Sequence, residues 1–227
     1  MTDVPPLAVD IDGTLTRPDG PGIDARVFAA LRGWEAPVVV ATGKAFPYPV
    51  ALCHFLAIPE RVVAENGGIV YAEDRIEVVA DGETPRQVLE AYREAGGEVG
   101  FGRADTANRW RETEVVVHLD GDERLLRDLA RDHGLEVVDT GYAYHVKDPG
   151  RDKGTGLRAV ADLLELDPGA FVAVGDSEND APAFEVAGYA YAVANADGAA
   201  RDAADEVLDA AHADGFLAAL DLIRDRS

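Results

Sequence analysis

Two aspartates one residue apart, Asp10 and Asp12, stand where a short apolar run gives way to a glycine turn, in the segment LAVDIDGTLT. In an extended chain, residues i and i+2 point the same way and lie about 6.6 Å apart, so both carboxylates leave the strand together. Two like charges about 4 Å apart repel by about 4 kcal/mol at an effective dielectric constant near 20. A divalent cation that prefers oxygen ligands relieves this repulsion, so the segment predicts a metal-assisted site.

Three more polar clusters directly follow apolar runs in the same way. Thr42 follows VVVA, Asn66 follows VVAE, and Asp176 and Asp180 follow FVAVG. Lys153 begins a predicted helix and can reach the same place. Because ligands of open α/β sheets bind outside the carboxyl ends of the strands, one crevice can hold all of these side chains.

A hydroxyl, an ammonium and several carboxylates together suit a metal-bound phosphate, whose oxygens the cations neutralise. Asp10 lies directly at the strand end and is the candidate nucleophile, which would form an aspartyl-phosphate. Asp12 can give a proton to the leaving alkoxide and later take one from water. Asp176 and Asp180 are the distal metal ligands, with Asp10 as the shared ligand. Mg²⁺ is the favoured ion because it accepts a few carboxylates, waters and a phosphate oxygen.

The motif DIDGTLT at residues 10–16, together with Thr42, Lys153 and GDSEND at residues 175–180, resembles the haloacid dehalogenase superfamily of phosphatases. Within that superfamily, VAENGG, NRWRE, SEND and the total length are similar to archaeal phosphoglycolate phosphatases. The resemblance implies a Rossmann-like core with an α+β cap inserted after the third strand. It also implies Mg²⁺-dependent hydrolysis of 2-phosphoglycolate to glycolate and phosphate.

Carried over residue by residue, the resemblance implies a role for each matching position. Asp10 would be nucleophile and metal ligand, and Asp12 would be the acid and base and a ligand through its backbone carbonyl. The remaining roles are substrate binding by Thr42, Gly43 and Lys153, and completion of the metal site by Asp176 and Asp180. Lys44 departs from the pattern, because asparagine or arginine is more usual there, and this bears on the substrate contacts.

Other functions remain open on the residues alone. A phosphatase for a sugar phosphate, such as sucrose phosphate or a hexose phosphate, would share the core and differ in the cap. A phosphoacceptor signalling module also uses an acidic cluster, a threonine and a lysine, but it would lack the large insertion. A mutase would isomerise a sugar phosphate rather than release phosphate.

The order of the elements predicts an α/β fold with a parallel sheet. Helices are predicted at 25–32, from about Val50 after two prolines, at 153–164 and at 216–223, and strands at 7–11, 38–41, 61–64, 171–174 and 189–193, with a hairpin at 69–79. The pattern changes to α+β near Asp81. We therefore expect a Rossmann-like core from residues 1–80 and 150–227, and an inserted α+β cap domain from residues 81–149.

Within the cap, residues 110–119 partly alternate between apolar and polar and predict a half-exposed strand. Arg109 and Arg111 could bind a substrate carboxylate in bidentate fashion, but alternation along a strand favours solvent exposure for both. Asn66 is open between a substrate contact and a turn former. The five histidines show no metal-ligand spacing and are expected to be structural.

The chain has 227 residues with 47% apolar residues and a formal net charge of -22, which fits a globular protein. Such acidity argues against nucleic acid and anionic membranes as partners and is expected of a salt-adapted protein, as from a halophilic archaeon. A single cysteine, Cys53, excludes an internal disulfide. No signal peptide or spanning segment is predicted, so we expect a cytoplasmic monomer or homodimer acting on a small phosphorylated substrate.

Overall fold

The computed structural model describes residues 4–226, and at Pro21 the backbone alone; residues 1–3 and 227 of the predicted core ranges lie outside it. The strands are β1 (Leu7–Val9), β2 (Thr16–Arg17), β3 (Gly20–Ile23), β4 (Val38–Ala41), β5 (Val62–Ala64), β6 (Ile69–Ala72), β7 (Arg75–Val78), β8 (Val115–His118), β9 (Glu136–Asp139), β10 (Ala143–Lys147), β11 (Val172–Gly175), β12 (Tyr189–Ala192) and β13 (Glu206–Val207). The helices are α1 (Ala25–Arg32), α2 (Pro47–Leu56), α3 (Glu83–Glu94), α4 (Thr106–Arg109), α5 (Glu123–Asp132), α6 (Lys153–Leu163), α7 (Ala181–Val186), α8 (Gly198–Ala203) and α9 (His212–Arg226). Within the described residues, no helix has both the length and the apolarity needed to cross a bilayer.

The central sheet has the strand order β13-β12-β11-β1-β4-β5-β6-β7. Neighbouring strands are parallel from β13 to β5, and β6 and β7 add an antiparallel hairpin at one edge. This arrangement confirms the predicted α/β fold. The chain order reverses at β1, which pairs with β4 on one side and β11 on the other. A crevice opens at the carboxyl ends of the strands at such a reversal, and the predicted site residues follow these three strands.

Helices cover both faces of this sheet, which fits the continuous apolar runs of its inner parallel strands β1, β4, β5 and β11. Leu7 and Val9 of β1 point into a layer that contains α1 and α9. Ala8, between them, points to the opposite layer, which contains Leu157 and Val160 of α6. Burial on both sides fixes β1 firmly, and with it the position of the two aspartates that follow.

Helix α2 begins at Pro47, earlier than predicted from its two prolines. Pro47 occupies the first turn of the helix, where a backbone N–H has no helical partner in any case. Pro49 lies in the same turn. The prolines therefore mark the start of the helix rather than delaying it.

Residues 81–149, which we call the insert, contain a separate antiparallel sheet in the order β8-β10-β9. Helices α3 and α5 pack on one face of this sheet. Successive side chains of a strand point to opposite faces, so Tyr144 and Val146 of β10 pack toward the helices. His145, between them, lies on the other face, where its Nδ1 lies 3.1 Å from Asn66 Nδ2. We call the described residues on either side of the insert, 4–80 and 150–226, the central domain or core.

The stretch 110–119 does not form one half-exposed strand, so that prediction is wrong. Only Val115–His118 is a strand, and a short helix precedes it. The Asn108 side chain donates to Val116 O at 2.9 Å and accepts from Val116 N at 2.7 Å. A side-chain amide thus takes the place of a partner strand at the edge of β8. Val115, Val116 and Val117 are all buried, so both faces of the strand are covered.

Glu65, directly after β5, fastens the insert to the central domain. Its buried carboxylate accepts hydrogen bonds from the backbone N–H of Glu112 at 3.0 Å and of Thr113 at 2.7 Å. The Thr113 hydroxyl donates to the same carboxylate at 2.7 Å. Burial, and then the nearby Glu114, raises the pKa of the Glu65 carboxyl. The contact therefore carries a desolvation cost that its three donors offset.

We expect Glu65→Ala to lower the free energy of unfolding by about 2–3 kcal/mol, because the buried Thr113 N–H loses its acceptor. Thr113→Val, which removes only the hydroxyl, should cost about 1 kcal/mol. Urea denaturation of both variants measures the difference. Equal losses in the two variants would show that the backbone contacts contribute nothing.

Candidate active site

Asp10 lies directly beyond β1 with its side chain buried. Its backbone N–H donates to Val174 O at 3.1 Å, which ties the end of β1 to the end of β11. Lys153 is fully buried at the start of α6, which the Asp152 side chain caps. The Lys153 Nζ donates to Asp10 Oδ1 at 2.7 Å and to Asp180 Oδ1 at 2.6 Å. Two of the predicted acids therefore share one ammonium.

Asp176 and Asp180 belong to one segment between β11 and α7, residues 176–180, which we call the acidic loop. Asp180 Oδ2 accepts hydrogen bonds from the backbone N–H of Asp176 at 3.0 Å and of Ser177 at 3.1 Å, so the loop folds around this carboxylate. Thr14 Oγ1 donates to Asp176 Oδ1 at 2.9 Å. A Cβ on Gly175 would lie 2.4 Å from Asp180 Cγ. Only glycine leaves room for the carboxylate at that position.

The carboxylates of Asp10, Asp176 and Asp180 offer oxygens within 4.8 Å of one another. Burial raises the pKa of Asp10 well above its usual value; Lys153 opposes this, and the neighbouring carboxylates add to it. Burial, and then Asp180, raises the pKa of Asp176 to about 7. Burial alone would lower the pKa of Lys153, but Asp10 and Asp180 hold it above its usual value. The ammonium of Lys153 binds two of these three carboxylates, so the cluster lacks positive charge and its oxygen donors fit a divalent metal ion.

Asp12 is not part of that cluster and pairs with Lys44, whose Nζ lies 2.8 Å from Asp12 Oδ2. The chain turns at Gly13, whose φ is +78° and where a Cβ would lie 1.9 Å from Asp176 Oδ2. Both the backbone conformation and the close approach require glycine there. The turn separates the two aspartates, so that only Asp10 joins the acidic cluster with its side chain.

Thr42 and Gly43 follow β4 on the other side of β1. The Thr42 side chain is buried, and its backbone N–H donates to Val63 O at 2.8 Å. Its Oγ1 accepts from the backbone N–H of Lys44 at 3.1 Å. Gly43 O accepts from Arg111 Nη1 at 2.8 Å, so this loop also contacts the insert. The hydroxyl and the loop amides can bind phosphate oxygens.

The Asn66 side chain connects the acidic loop to the insert. This role differs from the two considered from sequence, a substrate contact and a turn former. Its Oδ1 accepts from Asn179 Nδ2 at 2.9 Å. Its Nδ2 donates to Glu114 Oε2 at 2.8 Å and lies 3.1 Å from His145 Nδ1. Although burial alone raises the pKa of Glu114, His145 and Arg111 hold it below its usual value. The network is buried and spans both parts of the chain.

Arg111 is buried and bonds to Glu114 and to the core, so its predicted exposure to solvent is wrong. Arg109 is exposed, as predicted, with its guanidinium 5.3 Å from the Trp110 ring. Reasoning from sequence missed Glu114 altogether. A charged residue directly before the run Val115–His118 was the available signal, because a charge next to a buried strand needs a partner.

These residues surround a cavity of about 320 Å³ between the central domain and the insert. Of the predicted site residues, Asp10, Asp12, Thr42, Gly43 and Asp176 line it. Lys153 and Asp180 lie beneath, bonded to Asp10 and to the acidic loop. The insert contributes Arg111, Thr140, Gly141, Tyr142 and His145 to the wall. The structure thus brings the predicted residues together at one place.

The fold and the comparisons identify the chain as a haloacid dehalogenase-like hydrolase. The family model of that description matches residues 123–220. The crystal structure of a Thermoplasma acidophilum protein superposes with a TM-score of 0.83 at 25% identity, covering 97% of this chain and 98% of that one. A haloacid dehalogenase-like hydrolase from Bacteroides thetaiotaomicron shares the fold, with a TM-score of 0.78 at 18% identity over 97% and 99% of the two chains.

Two relatives of similar length show which kind of hydrolase the chain resembles. The phosphoglycolate phosphatase of Halorubrum lacusprofundi is 59% identical over 226 residues, 99% of each chain. That of Natronomonas pharaonis is 60% identical over 224 residues, 98% of this chain and 99% of the other. The chain belongs to this family of haloacid dehalogenase-type phosphatases. The superfamily and the class of enzyme predicted from the sequence are confirmed.

Proposed function

We propose that the protein hydrolyses 2-phosphoglycolate to glycolate and inorganic phosphate with Mg²⁺. The observation that carries the proposal is the placement of Asp10, which lies at the end of β1 between the Lys153 ammonium and the acidic loop. The phosphoglycolate phosphatase name of relatives that match nearly the whole chain supports the choice of substrate.

In the first step the Asp10 carboxylate attacks phosphorus as the bond from phosphorus to the glycolate oxygen breaks. Asp12 gives its proton to the departing oxygen, which leaves as the hydroxyl of glycolate. The product on the enzyme is an aspartyl-phosphate, which divides one difficult displacement into two easier ones. Asp12 suits the role of acid because its side chain lies outside the acidic cluster and lines the cavity.

In the second step Asp12 takes a proton from a water molecule, which attacks phosphorus and releases Asp10 and inorganic phosphate. Thr42, Gly43 and Lys153 bind the phosphoryl oxygens throughout. Asp10, Asp176, Asp180 and the backbone carbonyl of Asp12 would hold the Mg²⁺ ion. When bound, the ion supplies positive charge that stabilises the phosphoryl oxygens in the transition state.

We also propose that residues 81–149 act as a cap that limits the site to small substrates. The cavity of about 320 Å³ between the insert and the central domain supports this proposal.

We further propose that the protein works in a salt-rich cytoplasm. The net charge of -22 and the relatives from halophilic archaea support this proposal. Full activity without added salt, combined with aggregation in molar KCl, would contradict the salt-adapted role.

A substrate panel tests the proposed activity. We expect steady phosphate release from 2-phosphoglycolate with Mg²⁺, and turnover of glucose 6-phosphate and sucrose phosphate at least tenfold less efficient. Comparable turnover of hexose phosphates with none on phosphoglycolate would replace the proposed substrate by a sugar phosphate. A single stoichiometric phosphorylation without turnover would indicate a phosphoacceptor module instead.

We expect Asp180→Asn to raise the Mg²⁺ concentration for half-maximal activity by at least about tenfold, because weakened metal coordination costs affinity on this scale. The measurement is a Mg²⁺ titration of initial rates. Glu178→Ala is the matched control, since it removes an exposed carboxylate from the same loop. An unchanged titration for Asp180→Asn would remove this residue from the metal site.

A further inference from the structure

We propose that Lys44 binds the carboxylate of the substrate and thereby selects for a small phosphorylated acid. This inference rests on the proposed function. Lys44 is one of only three lysines in the chain, and its Nζ lies at the boundary between the catalytic loops and the insert. The roles assigned above leave this side chain without a function.

The charged groups around the cavity favour Lys44 for this task. Lys44 and Arg111 are the lysine and arginine residues that line it within the described chain. The Arg111 side chain is only 6% exposed, and it bonds to Gly43 O and to Glu114, whose charge offsets its own. The Lys44 side chain is 30% exposed. An ammonium has three hydrogens, of which Asp12 takes one, so two can bind a ligand.

The distance from Lys44 to Asp12 matches the structure of 2-phosphoglycolate. Asp12, as the proposed acid, must come within hydrogen-bond reach of the ester oxygen, about 2.6–3.2 Å. The Lys44 Nζ is 2.8 Å from Asp12 Oδ2. The ammonium is therefore separated from the position of the ester oxygen by the Asp12 carboxyl group and two hydrogen bonds. The carboxylate carbon of the substrate is two covalent bonds from the same ester oxygen. One ammonium can therefore contact the acid and the substrate carboxylate together.

Two aromatic rings lie close to the ammonium, and one of them, Tyr142, also lines the cavity. Its Nζ lies 5.5 Å from the ring centroid of Tyr142, in the insert, and 6.0 Å from that of Tyr48, in α2. Such cation–π contacts attract the positive charge toward the ring faces, so they favour the ammonium at this position. A hexose phosphate has no anionic group next to its ester oxygen, so it would leave the second contact of Lys44 unused.

The test compares 2-phosphoglycolate with 2-hydroxyethyl phosphate, which has a hydroxymethyl group in place of the carboxylate. We expect Lys44→Met to lower kcat/KM on 2-phosphoglycolate by about 10- to 100-fold, mainly through KM, because a charge-assisted hydrogen bond is lost. The value on 2-hydroxyethyl phosphate should fall by a clearly smaller factor, because this substrate is subject only to the part of the loss that acts through Asp12. Lys44→Arg should retain most of the preference for the acid, because it keeps the charge.

Arg75→Met is the control for a changed net charge, because Arg75 is exposed on β7 and does not line the cavity. It should leave both substrates unaffected. Equal losses on the two substrates in Lys44→Met would place the action of Lys44 on Asp12 or on the phosphate, and would overturn the inference. Preference for the acid that survives in Lys44→Met would overturn it as well. A wild-type enzyme without that preference would instead refute the proposed substrate, and the role of Lys44 with it.

Discussion

Asp10→Asn is expected to abolish phosphate release while leaving the protein folded. The amide has the size of the carboxylate but is a poor nucleophile, so the aspartyl-phosphate cannot form. Removal of a residue that acts at the reacting bond costs on the order of 10⁴-fold or more in kcat. Initial rates of phosphate release from 2-phosphoglycolate with saturating Mg²⁺ give the measurement.

Thermal denaturation separates lost chemistry from lost structure. Burial and neighbouring carboxylates raise the pKa of Asp10, so its charged form is costly to hold in the fold. An amide removes that charge and keeps an oxygen for Lys153. We therefore expect a Tm equal to or above that of the wild type. Asp19→Asn, at an exposed position in the following loop, should keep full activity, and wild-type turnover in Asp10→Asn would refute the assigned nucleophile.

The second large effect is expected from Lys153→Met, on stability as well as on activity. The Lys153 ammonium is fully buried and bonds to Asp10 and Asp180. Methionine fills similar space but leaves two buried carboxylates without their cation. Breaking a buried ion pair in this way costs about 3–5 kcal/mol. Loss of a cation at the developing phosphoryl charge should also lower kcat by about 10²–10³-fold.

The double variant Lys153→Met/Asp180→Asn distinguishes this explanation from a simple packing defect. It removes one of the two uncompensated charges, so it should unfold at a higher urea concentration than Lys153→Met alone. Because the residues are in direct contact, their effects are not additive. Addition of Mg²⁺ should also recover part of the stability lost in the single variant. A double variant no more stable than Lys153→Met would show that the lost charge does not cause the instability.

The core elements could be predicted because their signals are local. Helix α1 has the predicted ends, since the Asp24 side chain accepts from Arg26 N at 2.9 Å at its start and Gly33 ends it. Strand β4 has the predicted bounds because VVVA is buried on both faces. The acids, Thr42 and Lys153 were predicted to meet because each follows a strand of one parallel sheet or starts a helix beside it.

The contacts between the insert and the core could not be predicted in this way. Asn66 meets Glu114 and His145 from positions 48 and 79 residues away along the chain. No periodicity links such residues, and their pairing depends on how the insert's sheet sits over the core. Arg111 was predicted to face solvent because a strand was expected there. Instead, Arg111 lies in the short loop between α4 and β8. A wrong local structure therefore gave a wrong environment for a charged side chain.

The turn between β9 and β10 differs from the other walls of the cavity. Glu65 and Asn66 hold the insert through buried contacts, whereas Thr140, Gly141 and Tyr142 line the cavity without a hydrogen-bonded partner in the core among the described contacts. Tyr142 is 61% exposed. Evolution can exchange residues in such a turn at little thermodynamic risk to the catalytic apparatus. New leaving-group preferences within this lineage should therefore arise first by substitution or lengthening at these three positions.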